Sequence, residues 1–279
     1  MLAMWHRVVT RRCAFACPES GQFKFGEAEA KQIAAAALRA KCHLVADDVA
    51  QYVANLEDAG SVPEELKKIG VCRPIADLAW VEYSDSEFSI AGDNQIGLAF
   101  AVISDTEVNV AVFQSIRGEP ICVAPMVRCM FLETGECKEI VTLTSASGQA
   151  QAFNAGNIGP MILRGLYAFA FAHCKNVEQV DCTTKHGPNQ KVIRRKKWPS
   201  VIFKTLNIPG VTKRYEKGES ENDDAGRRAH ICRGHFATYT DESKLFGKYV
   251  GKFWHPAHVR GNAKNGSVVK DYEIAPIGV

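Results

Sequence analysis

The hydrophobic pattern of the first seventy residues predicts helices. The segment 27–41 is rich in alanine and other strong helix-forming residues. The apolar residues that follow recur at the spacing of one helical face, at Val45, Val49, Tyr52, Val53 and Leu56. We therefore predict helical structure over residues 26–59. A shorter helix is predicted next, because Ser61 is a favourable N-cap, Pro63 fits the first turn and Gly70 ends the segment.

The pattern changes from helical to strand periodicity in the centre of the chain. Residues 97–104 are a continuous apolar run, and residues 108–112 alternate valine with other residues, as a half-buried strand does. Turn-forming residues lie between such runs, at 104–106 and at 133–136. We predict an antiparallel β meander with strands at 77–83, 97–104, 108–112, 121–132 and 137–144.

The second half of the chain starts with a polar loop at 145–158. Pro160 then begins a predicted helix that ends at His173, and apolar residues lie on nearly all its sides, which predicts that this helix is buried. Four β segments are predicted after it, at 201–208, 229–239, 247–260 and 267–274.

Together these elements predict an α+β fold with N-terminal helices, a central antiparallel β meander, a buried helix and a C-terminal antiparallel β module. The composition agrees with a folded protein, because 46% of the 279 residues are hydrophobic and 23% are charged. Collagen-like, coiled-coil and wholly disordered chains are excluded. The length fits one large domain or two small ones. We predict a division into residues 1–150 and 151–279, with one continuous domain as the alternative.

Several classes of protein lack their signals in this sequence. No run of 18 or more apolar residues occurs, so we predict no transmembrane helix and no membrane partner. The ten cysteines include no Cys-x-x-Cys pair, and the N-terminal residues lack the apolar core of a signal peptide, so we predict a cytoplasmic protein with reduced thiols. The motifs of P-loop NTPases, Rossmann dehydrogenases, α/β-hydrolases and zincin proteases are also absent from the sequence.

Histidine and arginine are concentrated in two C-terminal segments. Residues 230–236 have the sequence His-Ile-Cys-Arg-Gly-His-Phe, and residues 253–261 have the sequence Phe-Trp-His-Pro-Ala-His-Val-Arg-Gly. If the two segments pair as strands, the alternation of side chains brings two residues of each segment to one side of the sheet. These residues are Arg233, His235, His258 and Arg260.

Such a cluster has the groups needed for metal-independent cleavage of RNA. Two histidines that titrate near neutral pH can act as general base and general acid. Arginine can hold a phosphate and stabilise the charge that develops in the transition state. We therefore predict His235 and His258 as a catalytic pair, without assigning which is the base, and Arg233 and Arg260 as phosphate-binding residues.

A basic run ends directly before Trp198. Its members, which lie within seven residues of one another, are Lys191, Arg194, Arg195, Lys196 and Lys197. Basic side chains attract a nucleic-acid backbone, and an adjacent indole can stack on a base. We predict a phosphate-binding role for Arg194, Arg195, Lys196 and Lys197 and a stacking role for Trp198. A solvated loop is the alternative interpretation.

Other interpretations of the C-terminal cluster stay open at this point. Its residues can be structural, bonding backbone carbonyls or loop carboxylates, or they can bind phosphate without catalysis. A zinc site is disfavoured, because its members lack standard spacing and His230 falls on the opposite face from His235. That set is His230, Cys232, His235 and His258. We predict no metal and no cofactor. Three acids beside β segments are weaker candidates: Asp77, Glu82 and Asp271.

The C-terminal motifs resemble a family encoded by bacteriophages and mobile elements. They are His-x-x-Arg-Gly-His-Phe at 230–236, Leu-Phe-Gly at 245–247, Trp254, Pro-x-His-x-Arg-Gly at 256–261 and Val-Lys-Asp-Tyr-Glu at 269–273. Segments 73–82 and 160–208 are also similar to that family. The chain departs from it in a long N-terminal extension and in an acidic insert at 216–224. The resemblance implies a phage-like context, hence the host cytoplasm, and carries no expectation about chemistry.

Two functional hypotheses follow, and the sequence leaves open whether the protein is an enzyme. In the first, a phage-type accessory protein binds RNA or another single-stranded nucleic acid through the C-terminal cluster, with or without cleavage. It requires a continuous basic face that joins residues 191–197 to Arg233 and Arg260. In the second, a non-enzymatic protein binds and inhibits a host or defence protein. It requires an exposed apolar or aromatic patch and neither histidine.

Overall fold

The computed structural model of the protein describes residues 4–10, 14–15, 35–56, 61–89, 92–142, 155–182, 202–209, 228–260 and 262–267. The described helices are α1 (Met4–Thr10), α2 (Asp47–Ala54), α3 (Val62–Ile69) and α4 (Ala155–Ala172). Residues 35–38 are also helical, and Ser86–Phe88 form a 3-10 turn. None of the described helices is long and apolar enough to span a membrane.

A nine-stranded mixed sheet forms the centre of the molecule. Its strands are β1 (Ala14–Phe15), β2 (Cys42–Val45), β3 (Leu78–Ser84), β4 (Gln95–Val102), β5 (Glu107–Ile116), β6 (Glu119–Phe131), β7 (Cys137–Thr142), β8 (Glu178–Cys182) and β9 (Phe203–Asn207). Strands β3 to β7 pair antiparallel in chain order, which confirms the predicted meander. Helices on this sheet confirm the α+β fold.

The rest of the sheet is not a meander. Strand β2 pairs parallel with both β3 and β9, β8 pairs antiparallel with β9, and β1 pairs parallel with β6. Strands β8 and β9, which follow residue 150 in the chain, therefore complete the same sheet as strands that precede it. The proposed domain boundary near residue 150 stays a prediction.

The predicted continuous helix over 26–59 is wrong at Cys42–Val45, which form β2. This run is largely buried and lies between two parallel neighbours, with Leu44 fully buried and His43 5% exposed. Its pairing with distant segments outweighs the local helical spacing, since a fully buried strand shows no alternation of its own. Helix α2 then begins at Asp47 and buries Val49 and Val53, as the helical pattern predicted.

Two predicted helices are confirmed with different accuracy. Helix α3 has the predicted ends, because Ser61 and Glu64 form a capping box and Gly70 follows with a φ of +61°. Helix α4 is buried as predicted, but it begins at Ala155, so that Pro160 lies inside it. Close packing on the sheet requires Gly165, because a Cβ there would lie 2.5 Å from a methyl carbon of Leu98.

The sheet carries helices on both faces. Helices α2, α3 and α4 pack on one face, while α1 and residues 35–40 cover part of the other. Alternation along β3 sends Val81 into the first core and Trp80 into the second. Glu82 therefore lies on the same side as Trp80, beneath α1.

Four of the five described C-terminal strands form a hairpin that is interrupted in the middle, and the fifth lies beside it. The five strands are β10 (Arg228–Cys232), β11 (His235–Tyr239), β12 (Gly251–His255), β13 (His258–Arg260) and β14 (Asn262–Ser267). Strand β11 pairs with β12 and β10 with β13, both antiparallel and in one continuous register. The predicted strands 229–239 and 247–260 thus each break for two residues, at 233–234 and at 256–257. Strand β14 pairs parallel with β10, and most of the predicted segment 267–274 lies outside the described residues.

Candidate functional site

The paired strands β11 and β12 present two different faces. His235 lies opposite His255, and Phe236 lies opposite Trp254 in the next pair. Phe236 and Trp254 pack on helix α4, with their ring centroids 4.9 Å from each other and each 4.9 Å from that of Phe171. Because side chains alternate along a strand, His235 and His255 point away from the core.

The break at 233–234 contains a glycine that packing requires. A Cβ on Gly234 would lie 2.5 Å from Cη2 of Trp254, so only glycine leaves room for the indole. Trp254 is 2% exposed, and its Nε1 donates to the carbonyl of Pro209 at 3.1 Å. A core side chain therefore occupies the space beside this glycine. Gly261, the other motif glycine, lies outside the described residues.

A buried lysine fastens the hairpin to the core. Lys252 Nζ donates to the carbonyls of Ile69, at 2.7 Å, and Val71, at 2.5 Å, at the end of α3. The same ammonium lies 4.4 Å from the centre of the Phe236 ring. Burial lowers the pKa of Lys252 to about 8. With Phe236, Trp254 and Lys252 held in this way, the outward face has a rigid support.

Two histidines stack on the outward face. The rings of His235 and His255 lie with their centroids 5.1 Å apart and their planes 18° from parallel. His255 Nε2 lies 3.1 Å from the hydroxyl of Tyr239. Burial lowers the pKa of His255 below its ordinary value, and the nearby charges of His235 and then His258 lower it further. His258 itself lies opposite Cys232 on the adjoining pair of strands, beyond the break.

The tautomers of His235 and His258 follow from their hydrogen bonds. His235 Nδ1 lies 3.2 Å from the carbonyl oxygen of Arg233, and His258 Nδ1 lies 3.0 Å from that of Pro256. A carbonyl oxygen only accepts, so Nδ1 is the donor in both rings. Nε2 is therefore the ring nitrogen that each of these histidines has left for another partner.

The structure places the predicted residues unevenly. His235 is exposed, His258 is half-buried, and Arg233 is exposed beside them. Arg260 lies opposite His230 in the ladder of β10 and β13, beyond the break in the hairpin. The prediction that Arg260 shares a face with His235 assumed regular alternation of side chains, which the break interrupts. The roles of these residues stay predictions.

Sequence reasoning missed one histidine of the cluster. It overlooked His255, which the register places directly opposite His235. A register centred on the tip of the hairpin would have found it.

Some predicted features lie beyond the described residues. The basic run at Arg194, Arg195, Lys196 and Lys197 and the stacking residue Trp198 belong to this part. The side chains of His230 and Cys232 are likewise not described, so the zinc set cannot be assembled from them. Among the side chains that the structure does describe, no group of three or more His, Cys, Asp or Glu residues could hold a metal ion.

Aromatic rings continue from the histidines to the tip of the hairpin. Tyr239 lies 6.0 Å from His255 and 5.9 Å from Phe253, measured between ring centroids. Phe253 in turn lies 6.4 Å from Tyr249. We call the five rings the aromatic row: His235, His255, Tyr239, Phe253 and Tyr249.

The C-terminal strands are one of the basic parts of the chain, besides the run at 191–197. Residues 228–267 have seven Lys and Arg residues against two Asp and Glu residues, a net charge of +5, whereas the whole chain has +3. This charge would attract an anionic partner to the hairpin.

Glu82, a weaker candidate in the sequence, is buried beneath α1. Its Oε2 accepts from the backbone N–H of Trp5 at 3.2 Å and from Nε1 of Trp80 at 3.0 Å. Burial raises the pKa of Glu82 to about 7, against the opposing effect of these hydrogen bonds. Its role is to fasten α1 to the sheet, since both bonded groups belong to the core between them.

No protein-family model, curated protein or solved structure matches the chain. The resemblance to a phage-encoded family, and the phage-like context that it implies, stay predictions.

Proposed function

We propose that the protein binds RNA on the outward face of the C-terminal hairpin and cleaves it without a metal ion. The observation that supports this proposal best is the stacked pair of His235 and His255 on the outward face of the basic hairpin, with His258 on the adjoining pair of strands. Imidazoles supply both the acid and the base for such a reaction near neutral pH. The net charge of +5 over 228–267 favours a polyanionic substrate.

Cleavage proceeds by transfer of the phosphoryl group to the neighbouring 2′-oxygen. Nε2 of one of the pair His235 and His258 takes the proton of the 2′-hydroxyl, whose oxygen attacks phosphorus. Nε2 of the other gives its proton to the departing 5′-oxygen. The products are a 2′,3′-cyclic phosphate and a 5′-hydroxyl end, so both protons are accounted for. Arg233, exposed beside His235, contacts the phosphate and stabilises its developing charge.

His255 acts in this proposal as a positioning residue. Its lowered pKa keeps it neutral at neutral pH, so the positive charge of the cluster can reside on the histidine that serves as acid. Its ring stacks on His235, and its Nε2 is held by Tyr239. The stacking restricts the orientation of His235, which a general base or acid needs for efficient proton transfer.

The test measures binding and cleavage separately on the EDTA-treated protein. Labelled single-stranded RNA reports cleavage, and DNA of the same sequence, which lacks the 2′-hydroxyl, reports binding alone. We expect His235→Ala/His258→Ala to lower the cleavage rate by about 10² or more. Lys67→Ala, which removes an exposed charge on α3, is the matched control.

Each result has a distinct meaning. Cleavage that survives EDTA and is lost in the double variant supports the full proposal. Salt-sensitive binding without cleavage contradicts the catalytic part and leaves a nucleic-acid-binding protein. No binding at low salt refutes both parts.

A second candidate function, the binding of a host or defence protein, is favoured by one observation. Phe246, at the tip of the hairpin, is 88% exposed. Exposed aromatic residues are common anchors in protein interfaces. This function predicts that a partner binds the histidine double variant as tightly as the unmodified protein.

A further inference from the structure

We propose that the tip of the hairpin, residues 245–249, is a base-stacking site for single-stranded RNA, with Phe246 as the stacking residue. This inference rests on the proposed function, because it places the two ends of one substrate on one surface: a base at Phe246 and the scissile phosphate at the histidines.

The conformation of Phe246 is unusual for an exposed residue. Its φ is +52°, in the left-handed region that bulky side chains rarely adopt, and its surface is 88% exposed. Because the ring of Phe246 is almost fully exposed, packing in the core does not explain why this residue adopts a strained conformation. Strain of this kind is concentrated at ligand-binding sites.

Backbone hydrogen bonds hold the tip in this shape. The N–H of Leu245 donates to the carbonyl of Tyr249 at 2.9 Å, and the N–H of Tyr249 donates back at 3.0 Å. The N–H of Gly247 donates to Lys244 at 3.1 Å, with a φ of +66° at the glycine. The ring of Phe246 is therefore presented by an ordered loop, so little entropy is lost when it is contacted.

The tip is continuous with the proposed catalytic cluster. Tyr249, 47% exposed, is the outer end of the aromatic row that leads through Phe253 and Tyr239 to His255. The three ring-to-ring steps from Tyr249 to His255 are 6.4, 5.9 and 6.0 Å, so the two rings lie at most about 18 Å apart. At about 3.4 Å for each stacked nucleotide, this is the length of at most about five nucleotides.

One basic side chain at the tip favours a nucleic acid over an apolar protein pocket. Lys244 and Lys248 flank Phe246; Lys244 Nζ pairs with Asp241 at 3.3 Å, whereas Lys248 Nζ lies 5.2 Å above the ring of Tyr249. Alternating cations and exposed aromatic rings are the pattern of proteins that bind single strands, where bases stack on the rings and phosphates contact the cations. A single strand is required, because bases inside a duplex already stack on each other.

The experiment uses two substrates of different length. A 12-nucleotide 2′-O-methyl RNA, which cannot be cleaved, spans both sites and reports affinity by fluorescence anisotropy. A dinucleotide with a free 2′-hydroxyl reaches only the histidines and reports cleavage. Four variants are compared with the unmodified protein: Phe246→Ala, Phe246→Leu, Phe246→Trp and, as an exposed apolar control on the turn between β4 and β5, Ile103→Ala.

We expect Phe246→Ala and Phe246→Leu to weaken binding of the 12-nucleotide RNA by about tenfold, because alanine and leucine offer no ring. Phe246→Trp and Ile103→Ala keep the original affinity. All four variants cleave the dinucleotide at the original rate. Leucine separates stacking from simple apolar contact, because it retains the hydrophobic surface of the tip.

Three outcomes overturn the tip site, and they differ in what they imply for the proposed function. If Phe246→Leu binds the 12-nucleotide RNA normally while the dinucleotide is cleaved, the tip site is wrong and the proposed function stands. Equal affinity for a 12-base-pair duplex also rejects stacking on a single strand. If the unmodified protein neither binds RNA nor cleaves the dinucleotide, both proposals fail, and a protein partner that binds through Phe246 replaces them.

Discussion

The buried carboxyl group of Glu82 makes the stability of this protein depend on pH in a way that one substitution should remove. Glu82 is 7% exposed, and its Oε2 is bonded to the N–H groups of Trp5 and Trp80. Burial raises its pKa from 4.5 to about 7. The negative charge of Asp47 acts in the same direction, and the positive charge of Arg7 opposes it.

The sign follows from the protons bound in each state. Between about pH 4.5 and pH 7 the folded protein keeps the proton on Glu82, while the unfolded chain has lost it. The contribution of Glu82 to the free energy of unfolding therefore decreases as the pH rises through this range and levels off above pH 7. At 1.36 kcal/mol for each pH unit, the total decrease is about 3 kcal/mol.

Urea denaturation of the unmodified protein and of Glu82→Gln, measured from pH 5 to pH 9, isolates this contribution. Glutamine keeps an oxygen acceptor for Trp5 and Trp80 and does not ionise. We expect the stability of the variant, relative to the unmodified protein, to increase by about 3 kcal/mol between the acidic and alkaline limits. Glu133→Gln, at an exposed turn, is the control and should show no such change.

A difference between Glu82→Gln and the unmodified protein that stays constant with pH would refute the reasoning. It would mean that Glu82 ionises as easily in the folded protein as in the unfolded chain.

Three further substitutions test the hairpin and the core beneath α1. Gly234→Ala places a methyl group 2.5 Å from the ring of Trp254 and should lower the free energy of unfolding by about 1–3 kcal/mol in urea, whereas an unchanged value would show that the indole can move aside. His43 is buried with no hydrogen-bond partner at Nε2, and burial lowers its pKa to about 4, so its contribution to stability should fall as the pH drops from 6.5 to 4, in the opposite direction to that of Glu82. The stability of His43→Leu relative to the unmodified protein should therefore rise over this drop in pH, and a difference that stays constant with pH would contradict the prediction. Burial lowers the pKa of Lys252 to about 8 in the folded protein, so the charged lysine destabilises the fold and its contribution to stability should rise between pH 8 and pH 10.5. Lys252→Met should abolish this rise, measured by thermal unfolding. Persistence of the rise in the variant would assign it to another group.

Much of the fold could be predicted from local patterns because those patterns report burial. Alternating and continuous apolar runs located the meander from β3 to β7, and capping residues located α3 within a residue. The apolar surface on all sides of α4 correctly indicated a helix inside the molecule. Each of these elements has a spacing of buried residues, or residues at its ends, that the sequence displays directly.

The remaining strands depend on partners far away in the chain. Cys42–Val45 continue a helical spacing, and only their insertion between β3 and β9 makes them a strand. Local spacing carries no information about such a parallel neighbour, because the connection between parallel strands is long and variable.

The candidate site divides in the same way. The amino-acid sequence by itself determined that histidine, arginine and glycine are concentrated at 230–236 and 253–261. Only the tertiary structure decided which of them meet: the register set His255 opposite His235, and the indole of Trp254 filled the space beside Gly234. Composition selects the chemistry available to a surface, whereas pairing and packing over long distances select which side chains share it.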